Sequence, residues 1–269
     1  MTEISNNTLK INDLSKKKYL LGLIGYPLTH SLSPQLFEAK FAQENIQNID
    51  YKLFEIKTLD ELLPLLHTMP QICGLNVTTP YKTAILPYLD SISQTATATN
   101  SVNTLLIERK SDKIALHGYN TDVFGFEKSF CENIQQSHNQ AIILGNGGVA
   151  GSVAFVLKKM SIPYIIVSRK KTDKTLIYSE LTDEMIRHHN IIINCTPLGT
   201  FPDINHCPSI NYNAIEKHHL LFDLIYNPPL SLFLKKGLQK GAKVFNGSQM
   251  LEYQAQKSWE MWKNNSSKV

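Results

Sequence analysis

Beyond a polar leader, short apolar runs and longer mixed stretches alternate along the chain. Runs at Tyr19 to Ile24, Tyr51 to Ile56, Ile72 to Val77, Val102 to Glu108 and Lys113 to Leu116 predict strands. Between them, Pro34 to Asn45 and Leu59 to His67 predict helices, which gives an α/β domain of roughly 120 residues. A second set opens at Asp122 with a helix through Cys131, then a strand at Ala141 to Leu144 and a helix at Val149 to Met160. Strands follow at Tyr164 to Val167, Ile191 to Asn194, Leu220 to Leu224 and Ala242 to Phe245. This alternation predicts a parallel, doubly wound sheet. From Gly247 the pattern is one amphipathic helix carrying Met250, Leu251, Gln254 and Trp262. Residues 1 to 18 form either an added strand or a loose arm, and the tail from Asn264 to Lys268 is expected to fray.

At 269 residues a single core tends to split, so two domains are expected. The net charge of +4 is too mild to argue for nucleic acid, although the runs Lys16-Lys17-Lys18 and Arg169-Lys170-Lys171 need local explanations. Cys73, Cys131, Cys195 and Cys207 lack C-x-x-C spacing and read as reduced thiols of a cytoplasmic protein. The pairs His188-His189 and His218-His219 are adjacent and diverge in direction, so no metal is expected. Met1-Thr2-Glu3 does not begin a signal peptide, and no stretch of about 18 apolar residues occurs, which predicts a soluble chain without a membrane partner.

The candidate chemistry starts at Gly74-Leu75-Asn76-Val77-Thr78-Thr79-Pro80-Tyr81-Lys82. Leu75 and Val77 point inward, so Asn76 and Thr78 share the other direction, and Pro80 suits the first turn of a helix. Lys82 then sits against the local dipole, a placement useful for proton transfer. Amide, hydroxyl and ammonium together can hold a small hydroxylated anion and move a proton on it; a solvated lysine after a turn is the other reading.

A strand running into Gly145-Asn146-Gly147-Gly148-Val149-Ala150-Gly151 gives a second motif. Gly145 permits a tight turn, Gly147 lets backbone N–H groups approach a pyrophosphate, and Ala150 takes the small position against the strand. The alternative is a plain glycine-rich turn. An NAD site usually carries an acid about 20 residues past the first glycine. Here Val167 leads instead to Ser168, Arg169, Lys170, Lys171 and Lys174, which suits the 2′-phosphate of NADP, unless the cations merely coat a solvated loop. In Leu28-Thr29-His30-Ser31-Leu32-Ser33-Pro34, both serines are available to a carboxylate or as helix caps.

Taken with Ser101-Val102-Asn103-Thr104, Gly118-Tyr119-Asn120-Thr121-Asp122, Asn194-Cys195-Thr196-Pro197-Leu198-Gly199, Asp223 to Pro229 and Met250 to Ala255, these motifs resemble the shikimate dehydrogenase family from about Leu21 to Trp262. The resemblance implies NADPH-dependent reduction of 3-dehydroshikimate to shikimate. It also implies a substrate-binding domain over 1–121 and 247–269, a Rossmann-type NADP domain over 122–246, and a cleft between them. Ser31 and Ser33 would bind the carboxylate; Asn76, Thr78, Asn103, Asp122 and Gln254 the ring hydroxyls; Lys82 and Asp122 would be the catalytic pair. Gly145, Asn146, Gly147, Gly148 and Val149 would hold the pyrophosphate, with Ser168, Arg169 and Lys170 at the 2′-phosphate. Thr196, Leu224 and Tyr226 would line the nicotinamide side, Tyr226 also within reach of substrate, and Gly247 would border the cofactor. Departures from the family pattern are Phe37-Glu38, Val123, Ser168-Arg169-Lys170 and Ser248-Gln249.

A shikimate substrate implies small-molecule partners, no nucleic acid, and a monomer or homodimer. Three other readings share the plan: a quinate/shikimate paralogue using NAD, a catalytically silent sensor, and a folate-type dehydrogenase. The serine motif and Gln254 speak against the folate type, the retained Lys82 and Asp122 against the sensor, and the cations after Val167 against NAD.

Overall fold

The structure, a computed structural model, describes residues 19–110 and 113–264; the leader and the tail from 265 lie outside the described residues. The chain packs as two units. One is formed by the described residues up to Thr121 and those from Ala255 onward, the other by Asp122–Gln254.

In the first unit the order is β1 (Tyr19–Gly25), α1 (Ser33–Gln43), β2 (Ile49–Glu55), α2 (Leu62–Thr68), β3 (Ile72–Val77), α3 (Tyr81–Ala84), β4 (Ser91–Ile92), α4 (Gln94–Thr99), β5 (Thr104–Lys110) and β6 (Lys113–Tyr119). The sheet runs β2-β1-β3-β5-β6-β4. β1 is parallel to β2 and β3, reached through the helical crossovers α1 and α2, whereas β5 is antiparallel to β3 and β6. Every residue of β1 is buried because cores lie on both faces of the strand. Leu20 and Ile24 join Leu62, Leu66 and Leu75 on one face, while Leu21 and Leu23 join Phe37, Phe41, Tyr51, Trp259 and Trp262 on the other. Phe37, a departure from the family pattern, therefore serves the core, stacked on Tyr51 with ring centroids 4.2 Å apart.

The second unit contains α5 (Asp122–Cys131), β7 (Ala141–Leu144), α6 (Gly148–Lys159), β8 (Tyr164–Ser168), β9 (Leu176–Ile177), α7 (Asp183–His188), β10 (Ile191–Asn194), β11 (Leu220–Asp223), α8 (Leu232–Gln239), β12 (Lys243–Phe245) and the start of α9 (Ser248–Asn264). The pairings between its named strands are all parallel, in the order β12-β11-β10-β7-β8-β9. The strand order reverses between β7 and β10, and in such sheets ligands bind beyond the C-terminal strand ends at that point.

The return to the first unit comes at Ala255, eight residues later than the expected 247. The reason is what each turn of α9 packs against. Met250 joins the second unit's core with Phe126, Phe130 and Phe222, whereas Ala255, Trp259 and Trp262 belong to the first. Val123, another departure, fills that same second core.

Candidate active site

In the first unit the candidate residues gather around the C-terminal end of β3. Thr78 donates its backbone N–H to Ile24 O (3.0 Å) and accepts from Tyr81 N (2.9 Å), which fixes the turn into α3, where Lys82 is the second residue. The Lys82 carbonyl accepts the Val102 N–H at 2.7 Å, and Val77 N donates to Asn103 O at 2.9 Å, so the Ser101–Thr104 segment lies alongside. The turn after β1 is tied in by Tyr26 N donating to Thr79 O. Beyond it, Ser31 Oγ accepts the Ser33 N–H at 3.3 Å, while Leu32 occupies the N-cap of α1 without a side-chain bond.

Asn76 is buried at the centre of a polar network. Its Oδ1 accepts the Tyr51 hydroxyl at 2.8 Å, and its Nδ2 faces Asn103 O (3.1 Å), Ser258 Oγ (3.0 Å) and Thr104 Oγ1 (3.3 Å). The amide is thus occupied by protein atoms. Thr104, Thr121 and Ser258 hydroxyls also bond one another at 2.8–3.1 Å, and Asn103 Oδ1 accepts Thr121 N at 2.7 Å. Burial pushes the Tyr51 phenol well above its ordinary range, with the Ser33 hydroxyl facing it and opposing the shift. Sequence reasoning missed Tyr51, Thr104, Thr121 and Ser258. Ser258 had a signal: it stands one helical turn after Gln254 on the same face of α9.

In the second unit Asp122 opens α5. One turn on, Gly125 admits α9 closely, since a Cβ there would lie 2.6 Å from Met250 O and 3.0 Å from Gln254 N. The Gln254 amide donates to Leu251 O at 3.0 Å.

The glycine loop begins at the switch point. Gly145 has φ +100°, a conformation that disfavours L side chains, and its N–H donates to Val167 O at 2.7 Å. Asn146 is exposed, Gly147 is the N-cap of α6, and Gly148 and Val149 form its first turn. A Cβ at Gly147 would meet nothing within 4 Å, so the helix N-terminus has the open approach a pyrophosphate requires. Arg169 and Lys170 are exposed just after β8. Ser168, in contrast, is buried, and its hydroxyl donates to Lys170 O at 2.6 Å, so it shapes the basic loop from below. Tyr178, unforeseen from sequence, feels the Arg169 charge, although burial keeps its phenol above the ordinary value.

Thr196 follows β10, and Leu224 and Tyr226 follow β11. Gly247 presses against the segment after β11: a Cβ would fall 2.2 Å from Leu224 O, and its N–H donates to Ile225 O at 3.0 Å. A left-handed glycine turn, an open helix N-terminus and two exposed cations without an acid fit a dinucleotide bearing a 2′-phosphate.

The family model for the shikimate dehydrogenase substrate binding domain matches residues 23–105. Shikimate dehydrogenase (NADP(+)) of Methanococcus vannielii is 36% identical over 270 residues, covering 93% of each chain. The Clostridium beijerinckii protein of the same name is 39% identical over 251 residues, 90% of each. Among solved structures, the Thermus thermophilus shikimate 5-dehydrogenase in complex with NADP(H) and shikimate aligns with a TM-score of 0.79 at 26% identity, covering 91% of this chain and 93% of that one. With sequence, motif order and both folds in agreement over nearly its whole length, the chain belongs to the shikimate dehydrogenase family.

Proposed function

We propose that this protein is an NADP-dependent oxidoreductase that reversibly reduces 3-dehydroshikimate to shikimate in aromatic amino-acid biosynthesis. Family membership along almost the entire chain carries the reading, and the glycine loop with Arg169 supports the cofactor. In the NADP site Gly147 and Gly148 offer helix N-terminal N–H groups to the pyrophosphate, and Arg169 and Lys170 meet the 2′-phosphate. When bound, the nicotinamide supplies the hydride.

The protein's own task is then at the carbonyl oxygen, which becomes an alkoxide as the carbon is reduced. Lys82 donates a proton to it or holds its charge, and Asp122 orients the ammonium and bonds a neighbouring hydroxyl. Ser31 and Ser33 take the carboxylate; Thr78, Asn103 and Gln254 address ring hydroxyls. Asn76 and Tyr51 support that arrangement from beneath, as the Asn76 amide is already bonded to protein.

The reading extends to a soluble cytoplasmic monomer or homodimer whose partners are small molecules, not nucleic acid or membrane. Its four cysteines are free thiols, and no described helix is long and apolar enough to cross a membrane. The direct test is shikimate oxidation followed by NADPH absorbance, with NADP and NAD in parallel and quinate as competing substrate. Turnover is expected with shikimate and NADP; preference for quinate or NAD would replace this reading with that of the paralogue. Lys82→Ala is expected to lower the catalytic rate by about 10²–10⁴ with a smaller change in shikimate affinity, because its interaction strengthens in the transition state. Near-parental turnover would leave Lys82 a solvated lysine.

A further inference from the structure

Asp223, from the Asp223–Pro229 motif, takes no part in the chemistry above, yet it is fully buried at the end of β11. Its Oδ1 accepts from Asn194 Nδ2 at 3.0 Å and from Ile225 N at 3.1 Å, and its Oδ2 accepts the Ser231 hydroxyl. Burial pushes its carboxyl up to about 6, opposed by those three hydrogen bonds. The titratable groups that feel its charge, the Cys195 thiol and the Tyr212 phenol, are themselves pushed up by burial and stay neutral. A buried carboxylate satisfied only by neutral donors is costly, so a task for it is worth seeking.

The donors define that task. A carboxylate only accepts, so Asn194 must turn its NH₂ toward Asp223 and its carbonyl the other way. That carbonyl then accepts both the hydroxyl of Thr196 at 2.6 Å and its N–H at 3.0 Å. With its hydrogen committed to Asn194, the Thr196 oxygen accepts the Leu198 N–H at 3.3 Å. The same carboxylate fixes the turn after β11 through Ile225, and Leu224 N donates to Asn194 O at 3.1 Å. One buried charge therefore ties together the loops that follow β10 and β11.

We infer that Asp223 is a positioning residue: by setting the amide direction of Asn194, and through it the hydroxyl of Thr196, it holds the two nicotinamide-side loops in one geometry. This rests on the proposal that Thr196, Leu224 and Tyr226 border the nicotinamide. In Asp223→Asn the amide serves the Asn194 and Ile225 donors only with its oxygen toward them and its NH₂ toward the Ser231 hydroxyl; the bond to Asn194 is then neutral and weaker, and the hold on its direction loosens.

The experiment measures KM for NADP and for shikimate, together with kcat, in Asp223→Asn, in the swap Asn194→Asp/Asp223→Asn, and in Thr196→Val. Asp223→Asn is expected to raise KM for NADP about tenfold, the equivalent of one charge-assisted hydrogen bond, while KM for shikimate stays within about twofold. The swap again sets an acceptor-only group against an amide. The carboxylate, now on β10, accepts from Thr196 and from the amide now on β11, and KM for NADP is expected to recover to within about threefold of the parent. Asp223→Asn with an unchanged KM for NADP, or an equal rise for both substrates, overturns the inference. So does a folded swap that recovers nothing; a swap that fails to fold leaves the decision to Asp223→Asn, because the amide at 223 then turns its NH₂ toward the Ile225 N–H that the parent carboxylate accepts. Thr196→Val separates the two levels. If it leaves KM for NADP unchanged, the placement of Thr196 at the nicotinamide is wrong and the inference falls with it; if it raises KM while Asp223→Asn does not, only the positioning role falls.

Discussion

Replacing Asn76 by Ala tests whether the network around it is held by one critical bond or by many equal ones. Four polar contacts disappear, but their partners fare differently. Asn103 O still accepts Val77 N, and the Thr104 and Ser258 hydroxyls still bond each other at 2.8 Å. The Tyr51 hydroxyl alone loses its acceptor within a buried site, where an orphaned donor costs about 1–3 kcal/mol, the low end applying if Ser33 accepts it in part. A void of roughly 40 Å³ at about 24 cal/mol per Å³ adds about 1 kcal/mol. The expected loss is therefore about 2–4 kcal/mol, and about half of it should be recoverable by removing the stranded hydroxyl. Tyr51→Phe/Asn76→Ala is expected to be about 1–2 kcal/mol more stable than Asn76→Ala alone, a coupling between neighbours of opposite sign to simple additivity. Urea unfolding followed by tryptophan emission reads this cleanly, because the protein's two tryptophans, Trp259 and Trp262, both lie in the first unit's core. If the double variant is no more stable than Asn76→Ala, the orphaned phenol is not the source of the loss.

Cofactor choice at the basic loop predicts that Arg169→Ala weakens NADP binding by about 1.5–3 kcal/mol and NAD binding far less, as measured by calorimetry; equal effects would remove Arg169 from the 2′-phosphate site. Acid sensitivity follows from His138 and His219, both buried in the second unit, where burial above all lowers each ring's proton affinity below the ordinary 6.5. The unfolded chain takes up protons below pH 6.5 that the native rings refuse, so their contribution is intact above that pH and is lost as the pH falls below it. Asp223, raised to about 6 from 3.8, works in the opposite sense over the lower part of that interval. The comparison is accordingly parent against His138→Gln at each pH, the variant's thermal midpoint being expected to fall less steeply below pH 6.5.

Much of the fold was legible because its strands are continuous apolar runs: Ile72–Val77, Ala141–Leu144 and Ile191–Asn194 fall where the pattern put them. The two-residue strands β4 and β9 and the six-residue helices α4 and α7 were missed, being too short for either period to show. α4 depends instead on its ends, with Ser93 accepting Ala96 N at the start and Asn100 turning left-handed at φ 50°. The glycine loop was legible from type and spacing because backbone shape dictates those residues. The network around Asn76 was not, because its members, Tyr51, Thr104, Thr121 and Ser258, are scattered along the chain and meet only when β2, β3, β5 and α9 have packed. Ser168 shows the converse limit: its position beside Arg169 suggested cofactor contact, and only burial reveals that its hydroxyl serves the loop.

The passage of α9 from one unit to the other bears on synthesis. The second unit is a single uninterrupted stretch, so its sequence is complete before Ala255 is added. The first unit, although its strands are made earlier, waits for Trp259 and Trp262 to fill the face of β1 formed by Leu21 and Leu23, and for Ser258 to close the hydroxyl cluster with Thr104 and Thr121. A chain ending at Gln254 would hold every residue of the second unit but leave the first with an open core, so the unit begun first is the one completed last.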